Sequence, residues 1–235
     1  MADTAKPARK ASPIKTAYLI LYNAASAILW FSVLANVINV NVSAGTPKPV
    51  YPAIGQFTKW TQTLAGMEVL HSLLGVVRAP FITTFMQVFS RYAIVWGIID
   101  LFPSLALGFP SSGGGDYYSS AAYSSMLLAW ATTEVIRYTY FALALSSGGN
   151  PPYALHWLRY HAFFVLYPVG ISSEAYLIWR AVEPAKAGVS PLYSTVLFGY
   201  LALVYPPSSY IMYTHMMSQR RKVMKAAKTE GKKTQ

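Results

Sequence analysis

The chain has 235 residues, of which 54% are apolar and only 11% charged, with a formal net charge of +11. Ordinary soluble domains carry about 25% charged residues, so this chain lacks the polar groups to clothe a soluble surface. Cysteine is absent, which excludes disulfide scaffolds, thiolate metal sites and cysteine nucleophiles, phosphatase chemistry of that kind included.

The positive charge invites a nucleic-acid reading until it is partitioned. Residues 1–16 hold Lys6, Arg9, Lys10 and Lys15 against Asp3, a net of +3. Residues 220–235 hold seven Lys and Arg against Glu230, a net of +6. The long stretch between them is nearly neutral and mostly apolar. The pattern is that of a membrane protein with basic ends, and no nucleic-acid partner is expected.

A helix that crosses a bilayer needs about 20 predominantly apolar residues. In chain order, six segments qualify: 17–40, 57–77, 81–107, 119–145, 155–180 and 191–215. The first is too long and too dotted with polar residues for a secretory signal. TPKPVYP closes it, RAP divides the second from the third, and FPSSGGGDYYSS the third from the fourth. SSGGNPP and VEPAKAGVSP separate the last three. Glu68, His71, Arg78 and Arg91 interrupt the second and third segments, so a re-entrant pair with four crossings is the alternative there. The expected fold is an all-α polytopic membrane protein, a bundle of six transmembrane helices. Only the tails are rich in Lys and Arg, so both termini are expected on the cytosolic side, which requires an even number of crossings. The final Lys232-Lys233-Thr234-Gln235 resembles the dilysine retrieval signal of endoplasmic reticulum proteins, which acts at a cytosolic C-terminus. The basic tails otherwise serve topology and solvation, or attract anionic headgroups or acyl-CoA at roughly 1 kcal/mol per basic residue.

Ionisable side chains at membrane depth pair, line a cavity or do chemistry. Counted from the expected cytosolic ends, Glu68, Arg91, Glu134 and Arg137 lie ~12–17 Å deep and Tyr167 ~18 Å. Glu68 and His71 are three apart, Gln87 and Arg91 four, and Glu134 and Arg137 three, so each pair shares a helix face. Tyr167 and Glu174 are seven apart, again on one face, with Pro168 and Gly170 between them as a candidate kink. One account of the Glu and Arg set is structural: Glu68 or Glu134 paired with Arg91 or Arg137. Tyr167 taken alone is one of 18 tyrosines, and most of these should pack. Glu174 has no Lys or Arg within one helical turn, the setting in which a carboxyl is tuned for general acid or base work. Glu68-x-x-His71 has the spacing of a di-iron ligand pair, but the second copy is missing. His156, His161 and His215 form no ligand set. Gly113–Gly115 is not a dinucleotide fingerprint, and no G-x-S-x-G elbow exists. No metal and no cofactor are expected.

Four segments carry a family resemblance: MEVLHSLLGVVRAP (67–80), TTFMQVFSRY (83–92), TTEVIRYTYF (132–141) and LRYHAFFVLYPVGISSE (158–174). They resemble the membrane 3-hydroxyacyl-CoA dehydratases, also called protein tyrosine phosphatase-like proteins, and the similarity covers roughly residues 17–217. It implies the third step of very-long-chain fatty acid elongation in the endoplasmic reticulum, with a catalytic pair at Tyr167 and Glu174. It implies supporting or substrate-binding roles for Glu68, Gln87, Arg91, Glu134, Arg137 and Arg159. The implied partners are a 3-hydroxyacyl-CoA, membrane lipid, and the elongase, ketoacyl reductase and enoyl reductase of the pathway. The domain expectation becomes a basic tail at 1–16, a catalytic bundle at 17–217 and a basic tail at 218–235.

Dehydration needs a base for the C2 hydrogen and an acid for the departing C3 hydroxyl. Glu174 is assigned the C2 proton and Tyr167 the leaving hydroxyl; the reverse, or Glu174 doing both, stays open at this level. Arg159, with Arg78 second, is the expected cation for the coenzyme A phosphates. The competing classes are a non-catalytic membrane module that assembles with elongation enzymes, and a small transporter. The transporter should show internal repeats, and the halves show no convincing self-similarity.

Overall fold

A computed structural model describes residues 12–108 and 116–233, with side chains through Lys225. The basic N-terminal tail up to residue 11, the Gly113–Gly115 loop, Thr234 and Gln235 lie outside the described residues, as do the side chains of Lys232 and Lys233. Among the described residues the chain is all-helical, without a strand. The helices are α1 (Pro13–Ala44), α2 (Val50–Leu64), α3 (Gly66–Leu73), α4 (Phe81–Ile94), α5 (Pro103–Leu107), α6 (Tyr117–Ser146), α7 (Tyr153–His161), α8 (Phe163–Gly188), α9 (Pro191–Gly199) and α10 (Tyr205–Lys233). Val95–Ile99 extends α4 and Tyr200–Val204 joins α9 to α10, each as a wider π-helical turn.

These helices form six runs in the order of the six apolar segments, with altered limits. The second run begins at Val50, because Pro52 falls in the first turn, where its missing N–H costs nothing. It breaks at Ala65 and ends at Leu73, short of 77. The third run stops as a helix at Ile99, and Pro103 then opens a separate short helix. Pro168 and Gly170, the candidate kink, do not interrupt the helix. α8 continues through Pro168, and the 43° bend falls at Ala162, between α7 and α8. Pro184 likewise lies inside α8, so VEPAKAGVSP ends that run only at Gly188. By length and apolarity two single helices are able to cross a membrane, Pro13–Ala44 and Phe81–Ile99, and the bent α7–α8 pair makes a third. The third apolar segment, marked as insecure by its charges, is thus one of the clearer ones.

Three asparagines of the long apolar α1 bond back within the helix. Asn23 donates to the Leu19 carbonyl at 2.6 Å, Asn36 to Ser32 at 2.8 Å and Asn41 to Val37 at 2.7 Å. Asn41 also reaches the Ser124 hydroxyl of α6 at 2.8 Å. Internal satisfaction of this kind is what a helix facing lipid requires. α6 is the central element, packed against α1 on one side and α8 on the other. Its first half, YYSSAAYSSM, is rich in small residues that allow close helix approach. Trp30, Val33 and Val37 of α1, Met126, Leu127 and Trp130 of α6, and Leu177 and Ile178 of α8 share one core. Large apolar side chains remain exposed on the outside, among them Leu21, Ile28, Phe31, Leu203 and Ile211. An outward apolar surface of this extent marks a membrane interaction.

Asp116 caps α6 by accepting from the Ser119 backbone N–H at 2.7 Å and its hydroxyl at 2.8 Å. Burial opposes its charge, but the Ser119 bonds and the Arg180 charge hold this carboxyl below its ordinary value. Asp116→Ala is expected to cost about 1 kcal/mol of stability, as cap losses do. Because the folded-state value is depressed, the contribution is complete above about pH 5 and fades as pH falls below about 4. Thermal melts of wild type and variant across that range should converge at the acid end.

Candidate active site

Four charged side chains from three helices meet between α3, α4 and α6. Arg137 grips Glu68 with two bonds, at 2.8 and 2.7 Å, and its Nε donates to Glu134 at 2.7 Å. Arg91 of α4 donates to the other Glu134 oxygen. The Tyr138 hydroxyl donates to Glu68, and the Arg137 guanidinium lies over the Tyr138 ring at 4.2 Å. Glu134 is only 3% exposed, so its two arginines are what makes its charge tolerable there. Of the pairs expected from sequence, Glu134 meets both arginines and Glu68 meets Arg137.

Glu174 of α8 stands next to this network but is held differently. Trp130 Nε1 donates to one carboxyl oxygen at 2.7 Å, and the Tyr205 hydroxyl donates to the other at 3.0 Å. Both donors are neutral. The Arg91 guanidinium sits over the Trp130 ring at 4.9 Å, so it reaches Glu174 through an indole face instead of an ion pair. The π-helical turn before Tyr205 resets the helix register just ahead of the residue that meets Glu174. Pro206 and Pro207 follow; neither has an N–H to continue the ordinary ladder, which fits an irregular turn there.

Tyr167 lies two turns before Glu174 on α8, within electrostatic range of it. Its hydroxyl donates to the Ser209 carbonyl of α10 at 2.9 Å, and its ring stacks on Tyr213 at 5.8 Å. The remaining candidates lie outside the charged network. Gln87 is exposed on α4 and its amide approaches the Met212 sulfur at 3.8 Å. Arg159 lies on α7 against the Tyr140 and Phe141 rings of α6, at 4.5 and 4.4 Å. Arg78 is exposed in the turn between α3 and α4. His71 is buried with its Nε2 2.7 Å from the Tyr18 hydroxyl, an α1–α3 contact.

Three side chains that the spacing rules did not single out complete the picture: Trp130, Tyr138 and Tyr205. Trp130 is four residues before Glu134, and Tyr138 four after it, so helix periodicity placed both on the same face. Tyr205 had no such signal, since an irregular turn brings it in.

An all-helical fold with an apolar exterior, and acids and arginines gathered inside, defines a helical membrane protein with a polar interior site. A sequence model of the protein tyrosine phosphatase-like proteins, PTPLA, matches residues 62–226, and the chain belongs to that family. It is 39% identical over 217 residues to a probable very-long-chain (3R)-3-hydroxyacyl-CoA dehydratase of Schizosaccharomyces pombe, covering 91% of this chain and 96% of the relative. It is 34% identical over 232 residues to the dehydratase PASTICCINO 2 of Arabidopsis thaliana, covering 93% and 98%. Against human very-long-chain (3R)-3-hydroxyacyl-CoA dehydratase 2 the identity is 30% over 225 residues, covering 90% and 82%. No solved structure matches.

Proposed function

We propose that this chain is a very-long-chain (3R)-3-hydroxyacyl-CoA dehydratase, a hydro-lyase that removes water to give the trans-2-enoyl-CoA. The observation that carries the reading is the environment of Glu174. The other carboxyls of the site face arginine, whereas this one is held at both oxygens by neutral donors and remains partly accessible. A carboxyl fixed in orientation yet not consumed by an ion pair is equipped to exchange a proton with substrate.

In the proposed reaction the Glu174 carboxylate takes the C2 proton, and the C–H electrons form the C2–C3 double bond as the C3–O bond breaks. The Tyr167 phenol gives its proton to the departing hydroxyl, so water leaves. Transfer of the proton from Glu174 back to Tyr167 restores both groups. Tyr167 must release Ser209 to do this. The Arg91–Glu134–Arg137–Glu68 network holds Arg91 over the Trp130 ring, and through that indole it positions Glu174.

The setting that suits this chemistry is the endoplasmic reticulum membrane, crossed by six helices of the 17–217 region. Both basic tails, 1–16 and 218–235, then face the cytosol. An elongase, a ketoacyl reductase and an enoyl reductase are the proposed neighbours. The likeness to dehydratases over nine-tenths of the chain supports the substrate class. Purified protein should convert a long-chain (3R)-3-hydroxyacyl-CoA to the enoyl-CoA while leaving the 3S isomer unused. Failure to turn over either isomer in a folded preparation would favour the non-catalytic module.

A further inference from the structure

Among the described residues, several cations differ in what they face. Lys59, Arg91, Arg137 and Arg180 each face a carboxylate. Arg159 and Arg220 instead face aromatic rings and an imidazole. The sequence around them explains the difference, because neither 135–173 nor 184–229 contains an Asp or Glu. α7 and the adjoining part of α10 therefore form a positive rim with no internal counter-charge on either stretch.

Arg220 is the member of that rim that faces an imidazole. Its guanidinium lies over the Phe164 ring at 5.3 Å, and one Nη is 3.1 Å from His161 Nε2. His161 Nδ1 lies 2.8 Å from the Trp157 carbonyl, and the ring stacks on Trp157 at 4.5 Å. A carbonyl only accepts and a guanidinium only donates, so His161 is the neutral tautomer with its proton on Nδ1. A neutral imidazole orients Arg220 without cancelling its charge. Arg220 Nε is enclosed and has no hydrogen-bond partner among the described residues.

The position is informative. Phe163 and Tyr167 of α8 pack against Tyr213 of α10, so one seam runs from Tyr167 to Arg220. His161 precedes Tyr167 by six residues and Glu174 by thirteen, or at most about 9 and 20 Å of helical rise across the bend at Ala162. A thioester reacting between those two side chains would reach Arg220 with an arm of pantetheine length.

We propose that Arg220, oriented by His161 and Phe164, binds the phosphate groups of the coenzyme A moiety, with Arg159 on the other side of α7 adding to the field. The inference rests on the dehydratase reading for its substrate, but the binding site stands on its own geometry. A phosphate there has two possible sources, the coenzyme or an anionic lipid headgroup.

The test uses the full chain in maltoside micelles, which contain no phosphate. Calorimetric titration with coenzyme A should give binding in wild type that weakens about tenfold or more in Arg220→Gln. The preference for a 3-hydroxyacyl-CoA over the matching pantetheine thioester, which lacks the nucleotide phosphates, should fall by a similar factor. A merely structural role would lower turnover of both thioesters together and leave that ratio unchanged, which overturns the proposal. Coenzyme A binding equal in wild type and variant overturns it as well. If instead only phosphatidylserine-containing nanodiscs distinguish the two proteins, the ligand is a lipid headgroup and the coenzyme assignment falls. Arg220-dependent coenzyme A binding without turnover of any hydroxyacyl-CoA would keep the site and remove the dehydratase reading.

Discussion

Glu174→Gln is expected to reduce kcat by roughly a thousandfold, within the range of about 10²–10⁴ that a positioned acid or base contributes. The substitution is nearly isosteric. The amide oxygen of Gln can still accept from Trp130 or Tyr205, so the side chain should hold its place while losing its capacity to take a proton. KM should change little, because in the proposed reaction the carboxyl meets the reacting carbons and not the coenzyme end of the substrate. Tyr167→Phe removes one hydroxyl and its bond to Ser209, and should lower kcat by about a hundredfold or more while the Tyr213 contact persists. Steady-state kinetics beside thermal melts would separate chemistry from folding. Normal turnover in both variants, with unchanged melting, would remove these residues from the reaction.

The order of helices was legible in the sequence because apolar runs and Pro/Gly punctuation report burial and chain reversal directly. The internal breaks were less so. Ala65 and Ala162 carry no breaker signal, yet one divides α2 from α3 and the other is the site of the 43° bend. Conversely Pro168, a breaker by its chemistry, sits inside a continuous helix. Within the site, spacing on one helix identified Glu134 with Arg137, and the scarcity of charge at membrane depth then supplied Glu68 and Arg91 as partners. What spacing could not provide was contact between helices that use neutral donors. Trp130 and Tyr205 are among many aromatic residues, and only tertiary packing selects them. Gln87 shares a helix face with Arg91, but one turn away that face has already left the network and meets Met212.

The same network makes Glu134 the most consequential structural residue of the site. Its carboxylate receives Arg91 on one oxygen and Arg137 on the other, and Arg137 passes on to Glu68. In Glu134→Gln two guanidinium groups lose their shared anion, and only Glu68 remains for one of them. Removing one member of a buried ion pair costs about 3–5 kcal/mol, because the remaining charge stays desolvated. For a chain of this length that corresponds to a melting temperature lower by roughly 6–20 °C. Arg91 should also relax from Trp130, so residual activity should fall further than stability alone requires. Arg137→Lys tests the geometry separately: it keeps the charge but gives up the two-pronged grip on Glu68. Gln87→Ala, exposed and outside the network, should shift stability by less than about 1 kcal/mol. Melting curves in detergent for the three variants should therefore rank Glu134→Gln lowest, Arg137→Lys between, and Gln87→Ala near wild type. A Glu134→Gln protein that melts with wild type would show that the ion network does not hold the bundle together.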